Sequence, residues 1–192
     1  MKNVKIILVV VLSVYFSATN AQTEAPKGFK KGTLTLADNS TISGNIKSSI
    51  RSSASLAFIS DEGGKKKNYD GSELISAEID GIRFLCIKGD FFQVISNGGL
   101  SLLQKASDAS NKFSYNGSEA VFSSGTQGKP DDYFIFDSRN KELKKISKKN
   151  FDEVTTLAFA GNPAAIDKAK AINGDMAQLK EAVEIYNGQA NK

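Results

Sequence analysis

The side chains that most often carry out acid–base and metal chemistry are scarce in this chain. The sequence contains no histidine, and Cys86 is its only cysteine. Without histidine there is no Ser-His-Asp or Cys-His arrangement, no imidazole zinc ligand, and no general base of the commonest kind. One cysteine cannot hold an iron–sulfur cluster or an intramolecular disulfide, and its apolar surroundings predict a buried, inert thiol. The sequence therefore predicts no metal and no cofactor, and it favours a protein that is not an enzyme.

Carboxylates are the remaining candidates for catalysis. A glycoside hydrolase needs two of them about 5–9 Å apart, flanking the bond that is cleaved. Asp61-Glu62 and Asp131-Asp132 are adjacent pairs, but both lie beside glycine or proline in segments typical of turns. The simpler interpretation is solvated turn residues, and a carboxylate-dependent glycan hydrolase stays as an alternative.

The most coherent candidate binding feature is a basic segment late in the chain, in which Glu142 is the only acid. It consists of Arg139, Lys141, Lys144, Lys145, Lys148 and Lys149. Such a cluster predicts docking to an anionic partner, for example lipid headgroups or acidic glycans. The alternative is charge that keeps a strand edge soluble. No nucleic acid is expected as a partner, because aromatic side chains are not interleaved with these cations.

The first residues are typical of an export leader. Lys2 and Lys5 precede the apolar run 6–16, and Thr19 and Ala21 suit the −3 and −1 positions of a signal-peptidase site. The run is too short for a membrane-spanning helix, which needs about 20 apolar residues. We therefore expect cleavage after Ala21, a periplasmic or secreted protein, and no transmembrane anchor afterwards. Loss of the two leader lysines also brings the formal charge of +4 closer to balance.

Residues 22–106 alternate between apolar and polar side chains and are punctuated by turn residues. Asp80-Gly81 separates two such runs, and this dipeptide is a strong signal for a two-residue hairpin. The pattern predicts a β-rich, barrel-like domain, and residues 107–149 predict additional strands and a loop.

The period changes to that of a helix in residues 150–192. Asn150 with Glu153 predicts a capping box, Asn162-Pro163 predicts a second helix start, and Asp175 predicts a third. The fold class is therefore expected to be α+β. It would combine a mostly antiparallel small barrel or sandwich with a C-terminal bundle of about three short helices packed on the sheet.

The opening of this body, Lys31–Ile46, follows the pattern G-x-L-x-L-x-D/N-x-x-x-I-x-G-x-I. The chain thereby resembles small exported, uncharacterised proteins of Bacteroidota, although Asn39-Ser40 stands where Asp-Gly is usual. The likeness extends through scattered positions to a terminal helix that ends in Tyr186-Asn187. It implies export and a similar architecture, and it implies no catalytic residue.

Together these features predict an exported, non-enzymatic binding module of the cell envelope, whose partner is an envelope component or another protein. Two alternatives remain open: the glycan hydrolase, and a carrier whose barrel encloses a small apolar ligand.

Overall fold

The computed structural model describes residues 25–110, 112–116, 119–123 and 125–190. The predicted leader, residues 1–21, and its cleavage site lie outside the described residues.

Twelve strands and four helices are present in the described part of the chain. The strands are β1 (Lys30–Leu36), β2 (Thr41–Ser48), β3 (Ser55–Ser60), β4 (Lys67–Asp70), β5 (Leu74–Ile79), β6 (Ile82–Ile87), β7 (Asp90–Ser96), β8 (Leu100–Lys105), β9 (Lys112–Asn116), β10 (Glu119–Ser123), β11 (Tyr133–Asp137) and β12 (Glu142–Ile146). The helices are α1 (Ile50–Ser53), α2 (Phe151–Ala158), α3 (Pro163–Ile172) and α4 (Leu179–Ala190).

The α+β class is confirmed. A 10-stranded antiparallel sheet has the spatial order β12-β11-β8-β7-β6-β5-β1-β2-β3-β4, and β9 and β10 pair in a separate hairpin. The sheet is open, with β12 and β4 at its edges. Because β11 pairs with β8, the strands of residues 107–149 that follow the hairpin extend the sheet begun by residues 22–106.

The turns explain why these strands pair in sequence order. Asp80 and Gly81 have φ values of 53° and 77°, so both central residues adopt the positive φ that matches the twist of a two-residue hairpin. In the first hairpin Asn39 takes a φ of 67°, a conformation that asparagine tolerates better than most residues. The Asp38 carboxylate accepts the Ser40 N–H at 2.9 Å and stabilises the same turn.

The core of the described residues consists of three apolar clusters. One joins the helices to β8, β11 and β12 and includes Leu102, Ile135 and Phe159. A second lies on the same sheet face, over β1 to β5, and includes Phe91 of β7. The third is on the opposite face, where Phe92 and Phe134 meet edge to face with ring centroids 5.2 Å apart.

The predicted helix starts fare differently. Asn162 caps α3 as expected, because its side chain accepts the Ala165 N–H at 3.1 Å. The predicted capping box at Asn150 is wrong. Its side-chain oxygen instead accepts the N–H and hydroxyl of Ser147, at 2.7 and 2.8 Å, so it closes the preceding turn. Helix α4 begins at Leu179, four residues after Asp175, which bonds within a turn to Ala177 and Gln178.

The C-terminal helix is attached to the sheet by a side-chain amide. Asn187 accepts the Leu100 N–H at 3.1 Å and donates to the Leu100 carbonyl at 2.8 Å, which imitates a neighbouring strand. Gly98 makes room for this contact, since an added Cβ would lie 2.3 Å from the Asn187 amide nitrogen. Asn187 therefore has a structural role, although the helix does not end there as the resemblance implied but continues to Ala190.

Candidate functional site

Arg139 is the cation of the predicted basic segment whose side chain makes three hydrogen bonds. Its Nε and Nη2 atoms donate hydrogen bonds to the Asp137 carboxylate at 3.0 and 2.8 Å. Nη2 also donates to the Tyr186 hydroxyl at 3.2 Å. Among the described residues the Nη1 nitrogen has no hydrogen-bond partner, and the side chain is 63% exposed. The guanidinium is thus fixed in orientation while one of its edges faces solvent.

The structure divides the basic segment between two faces of the sheet. Lys144 pairs with Ile135, on the side of the helices, and Lys145 pairs with Phe134, on the opposite side. Lys144 contacts Glu142 at 3.1 Å, and Lys145 contacts Asp132 at 2.7 Å. Three exposed cations lie in the turns before and after β12: Lys141, Lys148 and Lys149.

A groove with a volume of about 270 Å³ lies between the β11–β12 hairpin and helices α2 and α4. It is lined by Leu100, Ile135, Asp137, Arg139, Asn140, Glu142, Lys144, Leu157, Ala158, Ala160 and Tyr186. Arg139 and Lys144 are therefore the members of the predicted basic segment that the structure brings into one concave site.

The groove is charged but balanced. The hydrogen bond from Arg139 lowers the pKa of the Asp137 carboxyl, and the same contact raises the pKa of Arg139. Asp137 therefore stays ionised, and Glu142, directly opposite it across the hairpin, contacts Lys144. Each cation has a carboxylate beside it, so this site would select a ligand by geometry more than by net attraction.

Sequence reasoning did not identify the apolar wall of this groove. Leu157 is 58% exposed although it is a leucine on a helix, and Ala158 and Ala160 continue its surface. Leu157 lies off the buried stripe formed by Phe151 and Val154. That mismatch with the helical period is the signal that could have pointed to it.

A second polar cluster is entirely buried. The Lys105 ammonium lies 3.1 Å from the Asp90 carboxylate, and both side chains are 0% exposed. Lys105 also donates to the carbonyls of Thr126 and Gly128, while Asp90 accepts from Ser107, Ala109 and Thr126. All three ammonium hydrogens and both carboxylate oxygens have partners, so the cluster has no atom left for a substrate. It attaches Ser107, Ala109, Thr126 and Gly128 to the sheet.

The adjacent carboxylates named above do not act as pairs. Asp131 makes a two-point ion pair with Arg51 at 2.7 and 2.8 Å, whereas Asp132 contacts Lys145. Asp61 contacts Lys31, and Glu62 is exposed. Cys86 is half-buried where the sequence predicted a buried thiol. Desolvation, with a smaller contribution from Asp70, still raises its pKa to about 12, so the thiol is protonated at neutral pH.

No known protein family, curated protein or solved structure matches this chain. Across the described residues no helix is both long enough and apolar enough to cross a membrane. The same part of the chain holds no group of three or more Cys, Asp or Glu side chains placed to bind a metal ion.

Proposed function

We propose that this protein is an exported, non-enzymatic binding module of the cell envelope that takes a protein partner in the groove between the β11–β12 hairpin and α2. The partner would present a carboxylate beside a large apolar side chain. The carboxylate would bind the exposed edge of Arg139, and the apolar side chain would pack on Leu157.

The observation that carries this proposal is the combination of an oriented guanidinium and an exposed leucine in one concave site. Arginine with two fixed bonds to Asp137 and one to Tyr186 loses little conformational entropy when a ligand binds it. Balanced charge disfavours polyanions such as nucleic acid, which would meet Asp137 and Glu142. A short motif that contains one acid avoids that repulsion.

The lack of catalytic side chains supports a binding role. The chain has no histidine, and burial raises the pKa of its one thiol to about 12. A general acid near neutral pH needs a raised carboxyl pKa, whereas the Asp137 pKa is lowered.

Selection of peptides from a displayed library tests the proposal. The wild-type protein should enrich peptides in which Asp or Glu, or a free C-terminus, lies next to a large apolar residue. Arg139→Gln should lower the affinity for a selected peptide about ten- to a hundredfold, because it removes a charge-assisted hydrogen bond. Leu157→Ser should weaken it as well, and the matched control Lys149→Gln should not. A wild-type selection no different from that on Arg139→Gln would refute this function.

Export is tested separately by cell fractionation and by mass spectrometry of the N-terminus. We expect the mature chain to begin at Gln22 and to be found outside the cytoplasm. An intact N-terminus in the cytosol would contradict this part of the proposal.

One observation favours the hydrolase as a second candidate. Asp137 and Glu142 are cross-strand partners and line the same groove, as two cooperating carboxylates would. This function requires turnover of a glycan that disappears in Glu142→Gln. Unchanged turnover in that variant would exclude it. The apolar-ligand carrier has less support, because buried side chains such as Leu34, Ile46 and Phe91 fill the interior that its ligand would have to use.

We also propose that the N-terminal half of the sheet forms a partial barrel. An isolated bridge joins Gly71, after β4, to Gly89, in the turn between β6 and β7. The backbones are so close there that a Cβ on Gly71 would lie 2.2 Å from the Gly89 carbonyl oxygen. This contact brings the edge strand β4 back towards the middle of the sheet and encloses the apolar cluster of β1 to β5.

A further inference from the structure

A row of side chains crosses the middle of the sheet on the face that carries the helices. Direct pairing places Phe84 beside Gln93, Gln93 beside Gln104, and Gln104 beside Tyr133 on adjacent strands β6, β7, β8 and β11. The row continues to the apolar residues Ala77 at one end and Ile146 at the other. Two amides between two aromatic rings therefore separate the two apolar clusters of this face.

The amides are not used by the fold. Gln93 and Gln104 are half-buried, and neither side chain hydrogen bonds another residue in the part of the chain that the structure describes. Each amide offers one carbonyl acceptor and two N–H donors. Because these amides have no partner in the fold, they are available to hydrogen bond a ligand.

The glutamines form the floor of a second cavity, with a volume of about 250 Å³. Its walls include Phe84, Ile50, Ala106, and the ion pair between Arg51 and Asp131. Because that pair joins the two charges at two points, it adds polar atoms to the rim without adding net charge. Lys105 also lines the cavity, but Asp90 pairs with its charge, so neither an anion nor a cation has an advantage there.

We infer that this cavity binds a neutral oligosaccharide, a site separate from the proposed peptide groove. Hydroxyl groups donate and accept hydrogen bonds, as the glutamine amides do, and the apolar face of a sugar ring packs on an aromatic side chain. Phe84 supplies that aromatic face in the cavity, whereas Tyr133 packs against the apolar cluster of the helices. A peptide would also satisfy the amides, but its backbone lacks the flat apolar ring face that packs on Phe84.

Titration calorimetry on the mature chain tests this site with cellotriose, maltotriose and chitotriose, and with an end-blocked trialanine peptide as the rival probe. We expect at least one sugar to bind with a millimolar or lower Kd. Gln93→Leu and Gln104→Leu should each lower the affinity for that sugar about tenfold, because each removes a hydrogen-bonding amide. Gln127→Leu, a matched change at an exposed loop position outside the cavity, should not.

Thermal unfolding of the same variants separates binding from folding. Leucine at position 93 or 104 should leave Tm unchanged or raise it, since it joins two apolar clusters and removes no bond. Arg139→Gln should leave sugar binding intact, which distinguishes this site from the peptide groove. The inference is overturned if none of the sugars binds, if trialanine binds in their place, or if the two leucine variants bind sugar as well as the wild type.

Discussion

Replacing Lys105 with methionine tests the buried ion pair between Lys105 and Asp90. The methionine keeps most of the side-chain volume but removes an ammonium with three acceptors. These are the carbonyls of Thr126 and Gly128, at 2.8 and 3.0 Å, and the Asp90 carboxylate, at 3.1 Å. All three acceptors are left short of a donor inside a site from which water is excluded.

The expected loss of folding free energy is about 3–5 kcal/mol, the range for breaking a buried ion pair by removing one partner. The two carbonyls alone account for about 1–3 kcal/mol each. The carboxylate keeps its bonds from Ser107, Ala109 and Thr126, which is why we do not expect a larger loss. For a chain of this size the corresponding decrease in Tm is about 6–20 °C.

Urea unfolding of the mature protein, followed by circular dichroism, measures the change. Lys149→Met is the control, because it removes an exposed cation with the same substitution and should change the free energy by less than about 0.5 kcal/mol. The double variant Asp90→Asn/Lys105→Met should lose less than the sum of the two single variants, since the two residues share one network. A loss below about 1 kcal/mol in Lys105→Met, or strict additivity, would refute the role assigned to this pair.

The remaining predictions concern a close backbone contact, the helix attachment and the thiol. Gly71→Ala should destabilise the fold by about 1–3 kcal/mol in urea unfolding, because its Cβ would meet the Gly89 carbonyl. Gly99→Ala is the control, because a Cβ there meets open space. Equal effects of the two substitutions would contradict the proposed closure. Asn187→Ala should cost about 1–3 kcal/mol, as two Leu100 backbone groups lose their partner, and a loss no greater than that of the exposed Glu184→Ala would disprove it. Since burial raises the pKa of Cys86 from 9.0 to about 12, the folded state holds the thiol proton more tightly than the unfolded chain. The free energy of unfolding should therefore fall as pH rises from 9 towards 12, and a Cys86→Ala variant with the same pH slope would show that another group is responsible.

Several local features could be predicted from short stretches of sequence, because their causes are local. The Asp80-Gly81 hairpin follows from the positive φ that both residues adopt, and the start of α3 follows from Asn162 and the proline after it. The incorrect capping box at Asn150 shows where this reasoning stops. Its side chain had a competing donor in Ser147, and only the fold of the preceding turn decided between them.

The candidate site was only partly predictable. The basic residues of the late segment were visible, but alternation along β12 sends Lys144 and Lys145 to opposite faces, and neighbouring carboxylates contact both. Leu157 and Tyr186 join Arg139 only because α2 and α4 pack against the same hairpin. No spacing along the chain relates these three residues.

Composition alone already limited the chemistry of this protein, since a chain without histidine lacks imidazole whatever its fold. Turn residues and periodicity, which act over a few neighbours, likewise indicated antiparallel strands followed by helices. The pairing of strands far apart in the chain was settled by packing. It brought Gln93 and Gln104 between two aromatic rings and buried Lys105 against Asp90. Such contacts depend on register and on which apolar faces meet, and those are properties of the assembled sheet.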